Sequence, residues 1–391
     1  MLDAEIMDFI AQRARAGQSE LAQTVRMLVQ RRAPLCFDCL NQRADKVFLQ
    51  PAVFAWLTSQ RTDINPYQVF YAALALDQRP SRLSVAANGR GRAYLPGHGY
   101  VAGLTPNGTT WIHCRQPDGA FFAGSKMLRF EPAQYLGTRP TEFTCETDSI
   151  LQPIFCWDGA DVTCDTVETE PAQTQCAAAL DRLADSQPRI YSLLLIANRR
   201  IHLYRSSELN SFASLSAHGA AFLNVPDNPS EVFFLDDLAH QGGHVVFNVA
   251  TLDTERYLRC DASTSLRDLG ADPSDTRSLY AAFHGLFTYS MILSVLGTYL
   301  LSDDPQGRIG HELRGRIAFY LLKFRIDLQN LAQPRLFKAD GEYLYQGFLA
   351  CYEKVLRECY DEVRGLDLSN QGYVFDYDRF ALLHRREFAD A

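Results

Sequence analysis

The spacing of apolar residues divides the chain into three textures. Over residues 1–80 the apolar positions recur every three or four residues (Ile6, Phe9, Ile10, then Leu21, Val25, Leu28), the period of amphipathic helices. LQPAVFAWLTSQ predicts a further helix with Pro51 in its first turn, where a missing N–H costs little. Over 81–165 the runs shorten and alternate. RLSVAA, RAYL, YVAGL, TTWIHC and AFFAG are separated by Asn-Gly, Pro-Gly and Asp-Gly pairs, which signals hairpins of an antiparallel β region. Residues 161–189 read as an acidic linker followed by a short helix. IYSLLLIANRRIHLYRS predicts one or two buried strands, AAFLNV another, and SEVFFL a third or the lead-in to a helix. From residue 235 onward the period is helical over 235–251, 276–302, 308–332 and 341–364. The expected fold class is α+β: a helical N-terminal segment (1–80), an antiparallel β region (81–165) and a mostly helical α+β domain (185–391) that carries the candidate chemistry.

Composition narrows the function classes. At 391 residues, 47% hydrophobic and 21% charged, the chain has the balance of a globular protein. A net charge of -8 argues against nucleic acid as partner, because phosphate binding needs a basic face. The short basic clusters (Arg13 with Arg15, Arg31 with Arg32, Arg199 with Arg200, Arg385 with Arg386) read as solvated helix ends or loops. The ten cysteines are scattered, and the first 32 residues carry charges throughout a helical pattern. Free thiols in a reducing cytoplasm are expected. LYAAFHGLFTYSMILSVLGTYLL has the length of a membrane span but contains His284 and several hydroxyl residues, so a buried central helix, and no membrane, is expected.

The chemistry concentrates in EVFFLDDLAHQGGHVVFNVAT. His240 and His244 are four residues apart, so on a helix their imidazoles share one face with Cβ atoms about 5–6 Å apart, close enough to hold one metal ion. Asn248 continues the stripe as a substrate contact or a support for the ligands. Asp236 and Asp237 read as caps of the helix N-terminus. Gly242 and Gly243 each cost up to about 1 kcal/mol inside a helix, which close approach of another element or a ligand would justify. A catalytic metal needs a third protein ligand, and His284 is the choice, with Arg277 and Thr288 on its side of the helix. His311 is the fallback. Gln241 stands where a zinc hydrolase of HExxH type carries the Glu that serves as general base. Gln accepts no proton at neutral pH, so oxygen activation at iron(II), which needs no such base, is preferred.

SFASLSAHGAAFLNV, DDLAHQGGHVVFN and DPSDTRSLYAAFHGLFTYSMI together resemble the 2-oxoglutarate-dependent HExxH-type peptide β-hydroxylases over about residues 190–330, with Gln241 in place of that family's usual Glu. The resemblance implies iron(II) held by His240, His244 and His284, with 2-oxoglutarate and O2 as co-substrates. It also implies hydroxylation of a side-chain carbon, Cβ, of a ribosomally made peptide. The distal carboxylate of 2-oxoglutarate then needs a cation. Arg314, Arg316 and Arg277 are the candidates, since a guanidinium binds both carboxylate oxygens at once. The alternatives are a zinc hydrolase with Glu312 as base and a non-catalytic, metal-containing peptide-binding protein. Other motifs are weaker. Cys36 and Cys39 form a lone CxxC and read as buried thiols. NGRGRAYLPGHGYVAG reads as a hairpin tip, and its His98 could line a groove. The serines before His218 lack a nucleophile-elbow pattern.

Overall fold

The computed structural model describes residues 1–115, 119–136, 140–157, 160–162, 164–165, 167 and 169–384; Arg385, Arg386 and part of the acidic linker lie outside the described residues. The fold is mixed α+β. The chain forms two compact units. The first comprises Met1–Ala14, Thr174–Ile196 and Asn228–Ala391; the second comprises Arg15–Gln173 and Ala197–Asp227. Neither is a continuous stretch of sequence, and the first helix, α1 (Ala4–Arg32), is divided between them.

In the second unit, α1 is followed by short helices: α2 (Pro34–Phe37), α3 (Asp45–Phe48), α4 (Pro51–Thr58) and α5 (Pro66–Val69). Proline opens three of them, supplying a preset φ where no N–H is needed. Their apolar faces bury Val25, Phe48, Val53, Trp56 and Phe70 in one core with Phe155 and Phe222. The β region runs as β1 (Arg82–Ala86), β2 (Arg92–Leu95), β3 (Gly99–Ala102), β4 (Thr109–Arg115), β5 (Ala120–Ala123), β6 (Lys126–Met127), β7 (Arg129–Pro132), β8 (Gln134–Tyr135), β9 (Glu142–Thr144), β10 (Cys156–Trp157) and β11 (Ala160–Asp161). Antiparallel sheets β1-β4-β5-β6 and β2-β3-β7 result. The expected hairpin over NGRGRAYLPGHGYVAG is β2–β3, with Tyr94 opposite Tyr100. Gly99 has no alternative there, because a Cβ would sit 2.1 Å from the carbonyl oxygen of Glu131. His98 is half-buried against the rings of Tyr71, Phe121 and Phe130. Cys36 is buried and free, and burial pushes its thiol up to about 12.

One expectation needs correcting. IYSLLLIA is not a strand: it belongs to α7 (Pro188–Ala197), which follows α6 (Thr169–Ser186), longer than the short helix anticipated. Ile190, Leu193, Leu194 and Ala197 are buried at helical spacing. An apolar run this short satisfies either period, and here the helix wins. Only RIHLY becomes a strand, β12 (Arg200–Tyr204), with all five residues buried. It joins β13 (Phe212–Ala213) and β14 (Ala220–Asn224) in a sheet ordered β13-β14-β12-β9-β8. β12 runs parallel to both β9 and β14, so the β region is not antiparallel throughout.

The first unit is helical. α8 (Glu231–Ala250), α9 (Leu279–Asp303), α10 (Gly307–Asn330) and α11 (Ala339–Val363) pack together, with α12 (Tyr377–Leu383) against α10. α9 is the central helix, in contact with α8, α10 and α11. Its apolar length is explained by that position: 89% of its most apolar window is buried inside the fold. SEVFFL is the start of α8, not a strand. Ser230 caps the helix by accepting from the Phe233 N–H at 3.0 Å, so neither Asp236 nor Asp237 is the cap. Gly243 lies against Phe287, Thr288 and Met291 of α9, where an added Cβ would make ordinary contacts at 3.5–3.8 Å. Close approach of another helix therefore accompanies this glycine, without strictly requiring it.

Candidate metal centre

α8 is buried almost throughout. After Glu231, the positions that keep accessible surface are Asp237, His240, His244 and Asn248. Their spacing of three, four and four residues places them on one stripe, to which the accessible surface of an otherwise enclosed helix is confined. Such a helix would normally fill that stripe with apolar residues.

The rings of His240 and His244 lie 5.0 Å apart between centroids. His284, contributed by α9, lies 4.5 Å from His244. His244 is thus the middle of a row of three. Burial pushes the His244 imidazole down to about 4. Burial, then His244 and the charge of Lys323, hold His240 well below the usual histidine range. Burial, then the two other imidazoles, do the same for His284. All three rings are neutral at pH 7, the form that binds a metal.

His284 is 6% exposed, and its Nε2 has no hydrogen-bond partner. A neutral imidazole presents a lone pair on one of its two nitrogens, the atom that binds a metal. Buried polar atoms without partners are rare and call for a physical reason. Tyr280 stands beside His284, ring centroids 5.4 Å apart, with its hydroxyl 2.8 Å from Thr251 Oγ1.

A carboxylate arm adjoins the row. Among the described residues, ligand atoms of Asp236, Asp237 and His240 all lie within 4.8 Å of one another. Asp236 is buried and accepts from Arg316 Nη1 at 2.6 Å through Oδ2, while its Oδ1 has no hydrogen-bond partner. Asp237 lies on the accessible stripe and is the carboxylate better placed to join His240. His240 and His244 are therefore flanked by His284 on α9 and by Asp237 on their own helix.

The three arginine candidates are all engaged. Arg316 turns inward, where it binds Glu312 through Nε and Nη2 at 3.0 and 2.8 Å as well as Asp236. Arg314 stays outside, pairing with Glu362 at 2.8 Å and Asp304 at 3.1 Å. Arg277 holds Asp327 through two nitrogens at 2.9 and 2.6 Å, and Asp275 besides. Glu312, the base a hydrolase would need, accepts from Arg316 and from Ser230 Oγ at 2.7 Å. Gln241 is 3% exposed, off the accessible stripe, and its Oε1 is buried without a partner. Asn248 makes no side-chain hydrogen bond among the described residues and lies on the accessible stripe. His311 is buried, not exposed as its flanking charges suggested. It stacks on Phe380 and belongs to a separate aromatic group with Tyr377 and His384.

Sequence reasoning missed Tyr320 and Lys323. Tyr320 lies edge-on to His240, centroids 6.2 Å apart. A readable signal existed: Arg316, Tyr320, Lys323 and Asp327 follow one another at four, three and four residues, a polar stripe along α10. No protein-family model and no curated protein matches the chain.

Proposed function

We propose that the protein is an iron(II)- and 2-oxoglutarate-dependent oxygenase that hydroxylates a side-chain carbon, Cβ, of a peptide. The observation that carries this reading is the row of three neighbouring, desolvated imidazoles, two of them on the accessible stripe of α8, with the buried Nε2 of His284 unpartnered. The donor set fits a transition metal that prefers imidazole, and His240, His244 and His284 would hold it. When bound, iron(II) supplies oxygen activation coupled to decarboxylation of 2-oxoglutarate, chemistry that asks no protein group to deprotonate water. That matches a site in which neither the residue after the first histidine nor Glu312 can serve as base. Gln241 is packed away, and Glu312 is held by Arg316 and Ser230. The same facts count against the zinc hydrolase.

The chain's own residues have simple tasks in this reading. The Thr251 hydroxyl holds Tyr280 beside the row. Asn248 offers an amide, which both donates and accepts, to a peptide lying along α8. The substrate class is a ribosomally made peptide and the location cytoplasmic, with neither nucleic acid nor membrane as partner.

Anaerobic titration of the purified protein with iron(II) and 2-oxoglutarate tests the proposal. A weak visible charge-transfer band is expected in the wild type and is lost in His284→Ala. Absence of the band, with zinc retained tightly instead, overturns the reading.

A further inference from the structure

Every arginine near the histidine row is already neutralised by two carboxylates. Arg316 holds Asp236 and Glu312, and Arg277 holds Asp275 and Asp327. Releasing either for a ligand would leave a buried carboxylate, Asp236 or Asp327, without its cation. Lys323 is different: among the described residues no carboxylate comes within ion-pair distance of it.

Its ammonium is nevertheless held in place. Nζ lies 4.2 Å from the ring centroid of Tyr373, 5.2 Å from Phe319 and 5.9 Å from Tyr289. One of its three N–H groups donates to the Tyr373 carbonyl at 2.9 Å, leaving two for a ligand. The aromatic faces favour the cation without neutralising it. Lys323 is linked to the row through its ring neighbours, since Nζ lies over Tyr289, whose ring adjoins Tyr320, and Tyr320 adjoins His240. Its charge is among the influences that hold His240 unprotonated, and Tyr320, one turn earlier on α10, contacts both His240 and Tyr289. Burial lowers the ammonium to about 8, with Arg277 pushing the same way and Asp327 and Asp236 opposing. A half-desolvated ammonium without a counter-ion is stabilised by any anion that reaches it.

We propose that Lys323 is the cation that binds the distal carboxylate of the small dicarboxylate at this site, the role for which the arginines are unavailable. The inference rests on the oxygenase reading, in which that dicarboxylate is 2-oxoglutarate. Lysine suits the place sterically, since a compact point charge needs no planar fork and leaves the arginine clusters intact.

Calorimetric titration of the Mn(II)-loaded full chain with 2-oxoglutarate and with pyruvate, which lacks the distal carboxylate, tests it without turnover. Wild type, Lys323→Gln and Lys323→Arg are compared, with Mn(II) affinity and thermal unfolding measured separately on each. Lys323→Gln is expected to weaken 2-oxoglutarate at least about tenfold, one charge-assisted contact, while pyruvate and Mn(II) affinities stay within about twofold. Lys323→Arg is expected to recover most of the loss. Undiminished 2-oxoglutarate binding in Lys323→Gln overturns the anchor and leaves the oxygenase reading standing. Equal losses for both acids show that Lys323 does not read the distal carboxylate, and overturn the anchor likewise. Failure of the Mn(II)-loaded wild type to bind either acid overturns both the oxygenase reading and the anchor.

Discussion

Both units bury histidines and charges, and they treat them differently. In the second unit His202 is fully buried between the rings of Phe155 and Phe222, with Nε2 3.3 Å from Thr147 Oγ1. His218 is equally enclosed, beside Phe54, with Nε2 3.3 Å from Gln18 Oε1. Each stands alone among aromatic rings. In the first unit three imidazoles are neighbours, and two of them keep accessible surface. An orphaned nitrogen does not separate the cases, since His202 Nδ1 lacks a partner as His284 Nε2 does. Company and access separate them: a buried histidine becomes a credible ligand when other donors and a route for the ion reach it.

The buried arginines repeat the contrast. Arg200 in the second unit is 2% exposed, sits 2.9 Å from Asp148 and lies 4.3 Å from the Tyr94 ring centroid, with Nη2 3.1 Å from the Tyr100 hydroxyl. Glu142 accepts from Tyr94 in the same cluster at 2.7 Å. In the first unit Arg316 and Arg277 each hold two carboxylates, whereas Lys323, among the described residues, has none within ion-pair distance. The second unit pairs Arg200 with Asp148 inside its own core, whereas the first leaves two imidazoles partly accessible and Lys323 without a carboxylate partner among the described residues.

Experiments can break this comparison at several points. Arg316→Met strands Asp236 and Glu312 and is expected to cost about 3–5 kcal/mol in denaturant unfolding. A cost under about 1 kcal/mol would show that the cluster does not rely on its arginine. Next in size is His244→Ala, expected to weaken Mn(II) or Zn(II) binding by more than about 100-fold in calorimetry, because loss of a ligand exceeds loss of its support. His202→Gln should leave that affinity unchanged, and equal loss in both variants would erase the distinction between the units.

Acid should act on the second unit through His218, whose imidazole burial and the Arg199 charge push down to about 4. The unfolded chain takes up this proton near pH 6.5 and the folded chain only near 4, so stability is constant above 6.5 and falls as pH drops through that window. The loss is about 2–3 kcal/mol, and His218→Gln should flatten that limb of the pH profile. The smallest effect is expected at Arg314, whose pairs with Glu362 and Asp304 are on the surface. Arg314→Ala should change stability by less than about 1 kcal/mol and ligand affinity not at all. A large effect there would mean that the inward and outward arginines of α10 had been assigned the wrong way round.

Much of this was legible in the residues. The four long helices of the first unit, the β2–β3 hairpin and the pairing of His240 with His244 all follow from local periodicity, which acts between residues a few positions apart. So does the mixed α+β class. The polar stripe Arg316–Tyr320–Lys323–Asp327 was equally present but overlooked, because the apolar stripe beside it dominated the pattern. Other features depend on residues far apart in sequence. Whether IYSLLLIA becomes helix or strand was decided by which surface covers it. Arg316 turns inward because Asp236, 80 positions away, waits there. The Leu2 N–H reaches Ser294 Oγ at 2.7 Å, joining the start of the chain to α9. Desolvation, charge pairing and access are sums over neighbours that no local window contains. Sequence by itself therefore determined the elements and the histidine pair, while tertiary structure alone decided what stands beside them.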